Sequence, residues 1–206
     1  MLDDFATSVE VEPTEEPVTL AEAKLQSRVT IAIDDDEIIR KIKVARASCE
    51  GEFGFDFQFI TATRKLWLTR FPSKRRPECG FTDEIRLPHP PLQSVTSVEY
   101  VNVDGVLTTL ASSAYTVSQA AKPGFVVPVF GTFWPNTRQQ IEAVRVTYTC
   151  GYGAAAAVPD IAKEAILKRV AELYRDREET DFETTSNTDP TVRKLLAPLW
   201  SGWKWA

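Results

Sequence analysis

Apolar positions recur with two different periods along the chain, and the change of period divides it. Thr19 followed by Glu22 has the spacing of a capping box, in which the hydroxyl takes one orphan backbone N–H and the carboxylate reaches back to another. This predicts a helix over residues 19–29. A second start signal follows at Asp34, where three consecutive aspartates and Glu37 put negative charge at the positive end of a helix dipole. Ile38, Ile42, Ala45 and Cys49 then recur at helical spacing, which predicts a helix over residues 35–51 with one apolar face. Cys49 is read as a small hydrophobe on that face.

After Gly54 the period falls to about two. Residues 61–71 are rich in β-branched and aromatic side chains and predict a strand. Further strands are expected at 84–87, 95–103, 106–110, 115–117, 125–130 and 143–149. The last alternates cleanly, with Val144, Val146 and Tyr148 on one face and Arg145, Thr147 and Thr149 on the other. Asp104-Gly105 between two strand-like runs reads as a two-residue hairpin turn in which both positions take φ > 0.

Helical spacing returns after Pro159, which suits the first turn of a helix because its missing N–H costs nothing there. Ala162, Ile166, Val170 and Leu173 form the apolar stripe of a helix over residues 159–178. A polar stretch, a short helical piece near 190–196 and a tail containing Trp200, Trp203 and Trp205 complete the chain. Two helices, a block of antiparallel strands, then helix and tail make the fold class α+β. Residues 1–17 hold six acidic residues, no basic one, and Pro13 and Pro17. They read as an acidic extended arm, either solvated or ordering on a partner.

The chain has 206 residues, 43% of them hydrophobic and 26% charged, and a formal charge of -5. These values exclude disordered, collagen-like and disulfide-scaffold classes. They also argue against a protein that mainly grips phosphate backbones, since such domains carry a basic excess. Cys49, Cys79 and Cys150 are far apart, without the short paired spacings of a zinc site, and fit a reducing compartment. Apolar stretches fall well short of the roughly 20 residues of a spanning helix, and the acidic start lacks the order of a signal peptide. The expectation is a soluble protein assembled in the cytoplasm, without membrane contact.

Candidate chemistry is sparse. His89 lies in Pro88-His89-Pro90-Pro91, where three prolines predict an extended, polyproline-like path, and no nucleophile-elbow pattern accompanies it. It reads as a solvated loop residue. Gly151-Tyr152-Gly153-Ala154-Ala155-Ala156 matches a relaxed G-x-G-x-x-A pattern, but Pro159 delays the helix and no second parallel strand follows. The glycines read as a strand-to-helix corner. Asp34-Asp35-Asp36 and Glu178-Glu179 raise a metal-dependent nuclease or hydrolase, against the plainer reading of helix ends. No catalytic residue, metal ligand or cofactor is assigned. Arg70, Lys74, Arg75 and Arg76 make a local positive loop, placed to touch DNA phosphates or an acidic partner, or simply solvated. Trp200, Trp203 and Trp205 carry large apolar surfaces that will hide in their own core or in another subunit.

Several stretches, in this order, resemble the phage head–tail connector (adaptor) family of the gp6-like and phiE125 gp8-like type. The opening Pro17-Val18-Thr19-Leu20-Ala21-Glu22-Ala23-Lys24 is similar to its first helix and residues 34–54 to its second. Ile85-Arg86-Leu87-Pro88-His89-Pro90-Pro91-Leu92-Gln93-Ser94-Val95 resembles its proline-rich strand junction, followed by the hairpin of residues 98–105. Trp134-Pro135, then Ala143-Val144-Arg145-Val146-Thr147-Tyr148 running into Gly151-Tyr152-Gly153, and Val158-Pro159 before the last long helix complete the likeness.

The resemblance implies a helical bundle, two N-terminal helices plus a long C-terminal helix, with an inserted antiparallel β-rich region. On this view residues 18–179 are the connector domain, with helices 19–29, 35–51 and 159–178 and a β-rich insertion at 57–150. Residues 180–206 are linker and Trp-rich tail. The implied function is structural: a ring of about twelve copies beneath a capsid portal, extending the DNA channel and offering a platform to the neck or tail. Helices 35–51 and 159–178 are expected to form the packed bundle, with the strand region serving subunit contacts and the platform. Partners are then other copies of the chain, the portal protein and neck, stopper or tail proteins, with DNA passing through unbound. The location is the virion, in the neck between capsid and tail. Leu199, Trp200, Trp203 and Trp205 are the expected portal anchors. A stopper or tail-completion protein of the same neck, and a metal-dependent nuclease or hydrolase, are the alternatives.

Overall fold

The computed structural model describes residues 5–52, 57–72, 83–175 and 190–199. Among them the chain divides into two compact units. The first holds residues 5–12 and 61–151, and the second holds residues 13–60 and 152–199.

The first unit is built of antiparallel strands. Strand β1 (Phe5–Val11) pairs with β2 (Ala62–Leu68). A five-stranded sheet follows in the order β1-β2-β8-β4-β5, with β4 at Leu92–Val101, β5 at Leu107–Thr109 and β8 at Val144–Cys150. Strand β8 sits at the centre because it alternates most strictly. Val144, Val146, Tyr148 and Cys150 are buried while the residues between them are half-buried. Its register with β2 is unbroken from Ala62↔Cys150 to Leu68↔Val144, so Leu66 meets Val146 inside. On the other face Trp67 lies opposite Arg145, whose guanidinium carbon is 5.0 Å from the ring centroid, and Lys65 Nζ approaches the same ring at 5.3 Å.

A second sheet, in the order β3-β7-β6, is formed by Ile85–Arg86 (β3), Tyr115–Ser118 (β6) and Phe125–Pro128 (β7). Its Ile85 and Val126 join Leu66, Val98, Val144 and Val146 in one core. Tyr148 crosses that core and donates its hydroxyl to the Pro88 carbonyl at 3.1 Å, so its single polar atom is satisfied.

The second unit is helical. Helix α1 (Leu20–Ser27) starts at the predicted capping box: Glu22 N–H donates to Thr19 Oγ1 at 3.2 Å and Thr19 N–H to Glu22 Oε2 at 2.7 Å. Helix α2 (Asp35–Ala47) runs into a π-helical turn (Ser48–Glu52) and buries Ile38, Ile42, Ala45 and Cys49. Helix α3 (Asp160–Arg175) buries Ala162, Ala165, Ile166 and Val170 in the same core, which α4 (Pro190–Leu196) completes with Val192 and Leu196. Two bonds clamp α2 to the end of α3. Lys41 Nζ donates to the Leu173 carbonyl at 2.6 Å and the Tyr174 hydroxyl donates to Asp34.

The expected fold class must be corrected. The chain is not a helical bundle with a long C-terminal helix and an inserted β region. The four α-helices among the described residues, of 8, 13, 16 and 7 residues, are short. The strands, eight among the described residues, form two antiparallel sheets with a core of their own. The physical reason is that the β region closes on itself. The acidic N-terminal stretch supplies an edge strand, and the second sheet covers the apolar face of the first.

Within the acidic arm Phe5–Val11 forms strand β1. Two local expectations also change. At Asp104-Gly105 only the glycine has positive φ, at 86°. Gly105 N–H donates to the Asn102 carbonyl, and Asn102 N–H to the Val106 carbonyl, both at 2.9 Å. This is a three-residue loop closed by a glycine bulge, and the Asn102 side chain stabilises it by accepting from the N–H groups of Asp104 and Val106. Finally, His89 has φ 60° and the Pro90-Pro91 bond is cis, so that segment turns where a polyproline path would run straight.

Candidate interaction surfaces

Of the residues that raised enzymatic readings, Glu178 and Glu179 lie outside the described residues, while Asp34 and Asp35 have partners within the helical unit. Asp34 accepts from the Tyr174 hydroxyl, and Asp35 pairs with Lys24 at 2.6 Å. Among the described residues no group of three or more His, Cys, Asp or Glu is placed to hold a metal ion. His89 is half-buried. At the glycine corner Gly151 and Gly153 have φ 114° and 130°, and a single 3₁₀ turn (Ala155–Ala157) precedes α3. The Ala155 N–H, where a phosphate would dock on a glycine-rich turn, donates to Glu15 Oε1 at 2.8 Å. An anion is already supplied by the chain. Among the described residues no helix is long and apolar enough to cross a membrane.

Of the basic loop, Arg70 is exposed just beyond β2, while Lys74, Arg75 and Arg76 lie outside the described residues. Of the expected anchors, Leu199 is half-buried against its own helical core, and Trp200, Trp203 and Trp205 lie outside the described residues.

Sequence reasoning missed two loops that display apolar side chains. In the strand unit, the connection between β7 and β8 is firmly held. Trp134 stacks on Phe71 with ring centroids 4.8 Å apart and donates its Nε1–H to the Asp83 carbonyl at 2.7 Å. Arg138 N–H donates to the Val101 carbonyl at 3.0 Å, beside the turn between β4 and β5. A tight turn closes where Thr132 N–H donates to the Val129 carbonyl at 3.0 Å, with Gly131 at φ 82° as a type II turn requires. That scaffold presents Phe130 fully exposed, Phe133 82% exposed and Ile141 78% exposed. Val103 and Val106, in the neighbouring turn, are also exposed. Burying side chains of this size is worth about 2 kcal/mol each, so leaving three in water is costly without a partner.

In the helical unit the connection between α1 and α2 has the same character. Arg28 caps α1 in the left-handed region at φ 56°, and Lys24 Nζ donates to the Ile31 carbonyl at 2.8 Å. Residues 30–33 are all exposed, Ile33 at 85%, and Leu25 beside them is 82% exposed. On the outward side of α2, Arg40 and Lys43 stand between the exposed Ile39 and Val44. A run of apolar residues outside any periodic element was the one available signal for both loops.

Comparison with solved structures finds the same fold in chains of gene transfer agent particles. No family model matches the chain, and no curated protein does. Among solved structures, a chain from the virion of a native gene transfer agent (GTA) particle matches with a TM-score of 0.74 at 19% identity, over 97% of each chain. A chain from the neck of an empty GTA particle computed with C6 symmetry matches at 0.73 and 18% identity, over 98% of each. A third, from the neck of a native GTA particle computed with C12 symmetry, matches at 0.59 and 17% identity, over 90% of this chain and 93% of that one. At such identities the likeness is one of fold, and it extends over both units.

Proposed function

We propose that this chain is a structural component of the neck of a phage-like particle: an adaptor that forms a ring beneath the portal, lengthens the DNA channel and carries the next neck or tail protein. The observation that supports this most is the end-to-end fold match to chains from GTA particles, two of them from necks. The C6 and C12 symmetries of those necks favour a closed ring, whose contacts are heterologous and need two different faces on each copy. The two apolar loops supply candidates. A net charge of -5 suits a conduit, because counterion-release affinity for phosphates would hold back a moving polyanion. Catalysis has no part in this role.

Particles produced without this chain should accumulate DNA-filled heads that lack tails, and supplying the chain should restore them. Normally tailed particles would refute the reading. The tail tryptophans are assigned to the portal. Replacing Trp200, Trp203 and Trp205 by Ala, which leaves the packing of Leu199 untouched, should give a folded protein that no longer joins portal-bearing heads. Undiminished attachment would remove the tail from the account.

A further inference from the structure

Of the first 60 residues, only those up to Glu12 belong to the strand unit, and residues 13–60 of the helical unit separate β1 from its partner β2. Strand β1 lies at the edge of its sheet and, among the described residues, pairs with β2 alone. Their register is unbroken from Phe5↔Leu68 to Val9↔Arg64 and resumes at Val11↔Thr63 after a bulge. Two side-chain contacts reinforce it. Trp67 Nε1–H donates to Ser8 Oγ at 3.0 Å, and Lys65 Nζ to Glu10 Oε2 at 3.1 Å. None of residues 6–11 is buried, so over that span the ladder and these polar contacts hold the strand, and the core does not. Past β1, Glu12 and Thr14 are exposed, and Pro13 biases Glu12 toward an extended path. From Glu15 onward the chain is tied down: Glu15 accepts from the Ala155 N–H and Glu16 from Arg46 Nε, both at 2.8 Å, and Pro17 and Val18 are buried. Residues 12–14 are thus a pivot between a detachable strand and an anchored segment.

We propose that β1 is an exchanged arm: in the assembled ring, residues 5–11 of each copy pair with β2 of the next copy. The proposal rests on the ring reading above and adds the element that links its subunits. The occupant of the β2 edge is fixed by the register itself. A neighbour's β1 has the same sequence and remakes the same ladder, the Trp67–Ser8 bond and the Lys65–Glu10 pair, with no new complementarity required. Exchange therefore alters only the path of residues 12–14, which fully extended reach about 10 Å. Each copy gives one strand and receives one, a heterologous contact that a closed ring completes with no β2 edge left open. Because residues 6–11 carry no buried side chain, β1 leaves its own sheet as a fraying edge does, without global unfolding. Copies held side by side in a ring present β2 to the arm at a high effective concentration, so pairing between copies competes with pairing within one.

The test uses the full-length chain carrying Cys79→Ser, with Cys49 and Cys150 left in place because both are buried. Val11→Cys and Thr63→Cys, opposite each other in the register, are introduced singly and together, assembled on portal-bearing heads, treated with a short bis-maleimide and run on a denaturing gel. Each single variant should stay monomeric. An equal mixture of the two should give dimers and nothing longer. The double variant should give a ladder that ends at the copy number of the ring. Ser8→Cys with Lys65→Cys, a pair from the middle of the register and away from the bulge, should repeat these results. A ring visible by electron microscopy in which the double variants carry intrachain cross-links alone, and the mixtures give no dimer, would overturn the exchange and leave the adaptor reading standing. Absence of both the ring and any interchain cross-link would bring down the two together.

Discussion

Glu50 shows how much of the helical unit depends on single polar contacts. The residue is 7% exposed, and its carboxylate accepts from Arg46 Nη1 at 2.7 Å, Gln58 Nε2 at 3.1 Å and the Phe59 N–H at 2.8 Å. Burial alone would lower the pKa of Arg46, but Glu50 and Glu16 outweigh it and hold the guanidinium above its usual value. Glu50→Ala would leave Arg46 with Glu16 alone and the buried Phe59 N–H without its acceptor, a loss of about 1 to 3 kcal/mol measurable by urea unfolding. Glu22 carries a pH dependence of its own. The bonds from the Thr19 N–H and hydroxyl lower its pKa, so its stabilising effect is complete above about pH 4.5 and is lost as pH falls through the depressed folded value. Melting temperatures of the parent and Glu22→Gln should therefore converge as the solution is acidified below pH 4.5. Thr19 and Glu22 were legible because a capping box is local, spanning four residues. The Glu15 bond to the Ala155 N–H spans 140 residues and leaves no mark in the sequence.

At the level of elements, alternation and helical spacing located nearly every strand and helix. Val144, Val146 and Tyr148, and the stripe of Ile38, Ile42, Ala45 and Cys49, are buried as their periods require. What periodicity could not convey was assembly. Neither the pairing of β1 with β2 nor the division of the strands into two sheets is written in any local pattern, and this is why the bundle expectation failed. The Asp104-Gly105 turn failed for a different reason, since a two-residue and a three-residue loop share those letters. Gly124 marks a close approach of the kind only structure reveals. A Cβ there would lie 2.6 Å from Leu92 Cβ and 3.0 Å from the Ser118 carbonyl oxygen. Gly124→Ala should destabilise the strand unit by about 1 to 3 kcal/mol, read as a lower urea midpoint, because neither Leu92 Cβ nor the backbone can move aside cheaply.

For the whole molecule, the two units share out the work: each encloses its own core and each exposes one apolar loop. A lone soluble domain gains nothing from showing Phe130, Phe133, Leu25 and Ile33 to water, whereas a ring subunit needs two unlike sticky surfaces. The apolar loops were illegible because they interrupt the periods by which a sequence is read, and the tail tryptophans lie outside the described residues. The most direct measurement is an electron-microscopy map of the neck in purified particles that contain this chain. The account predicts a ring of identical subunits next to the portal, each fitted by the two-unit fold; a neck with no density for this chain would contradict it.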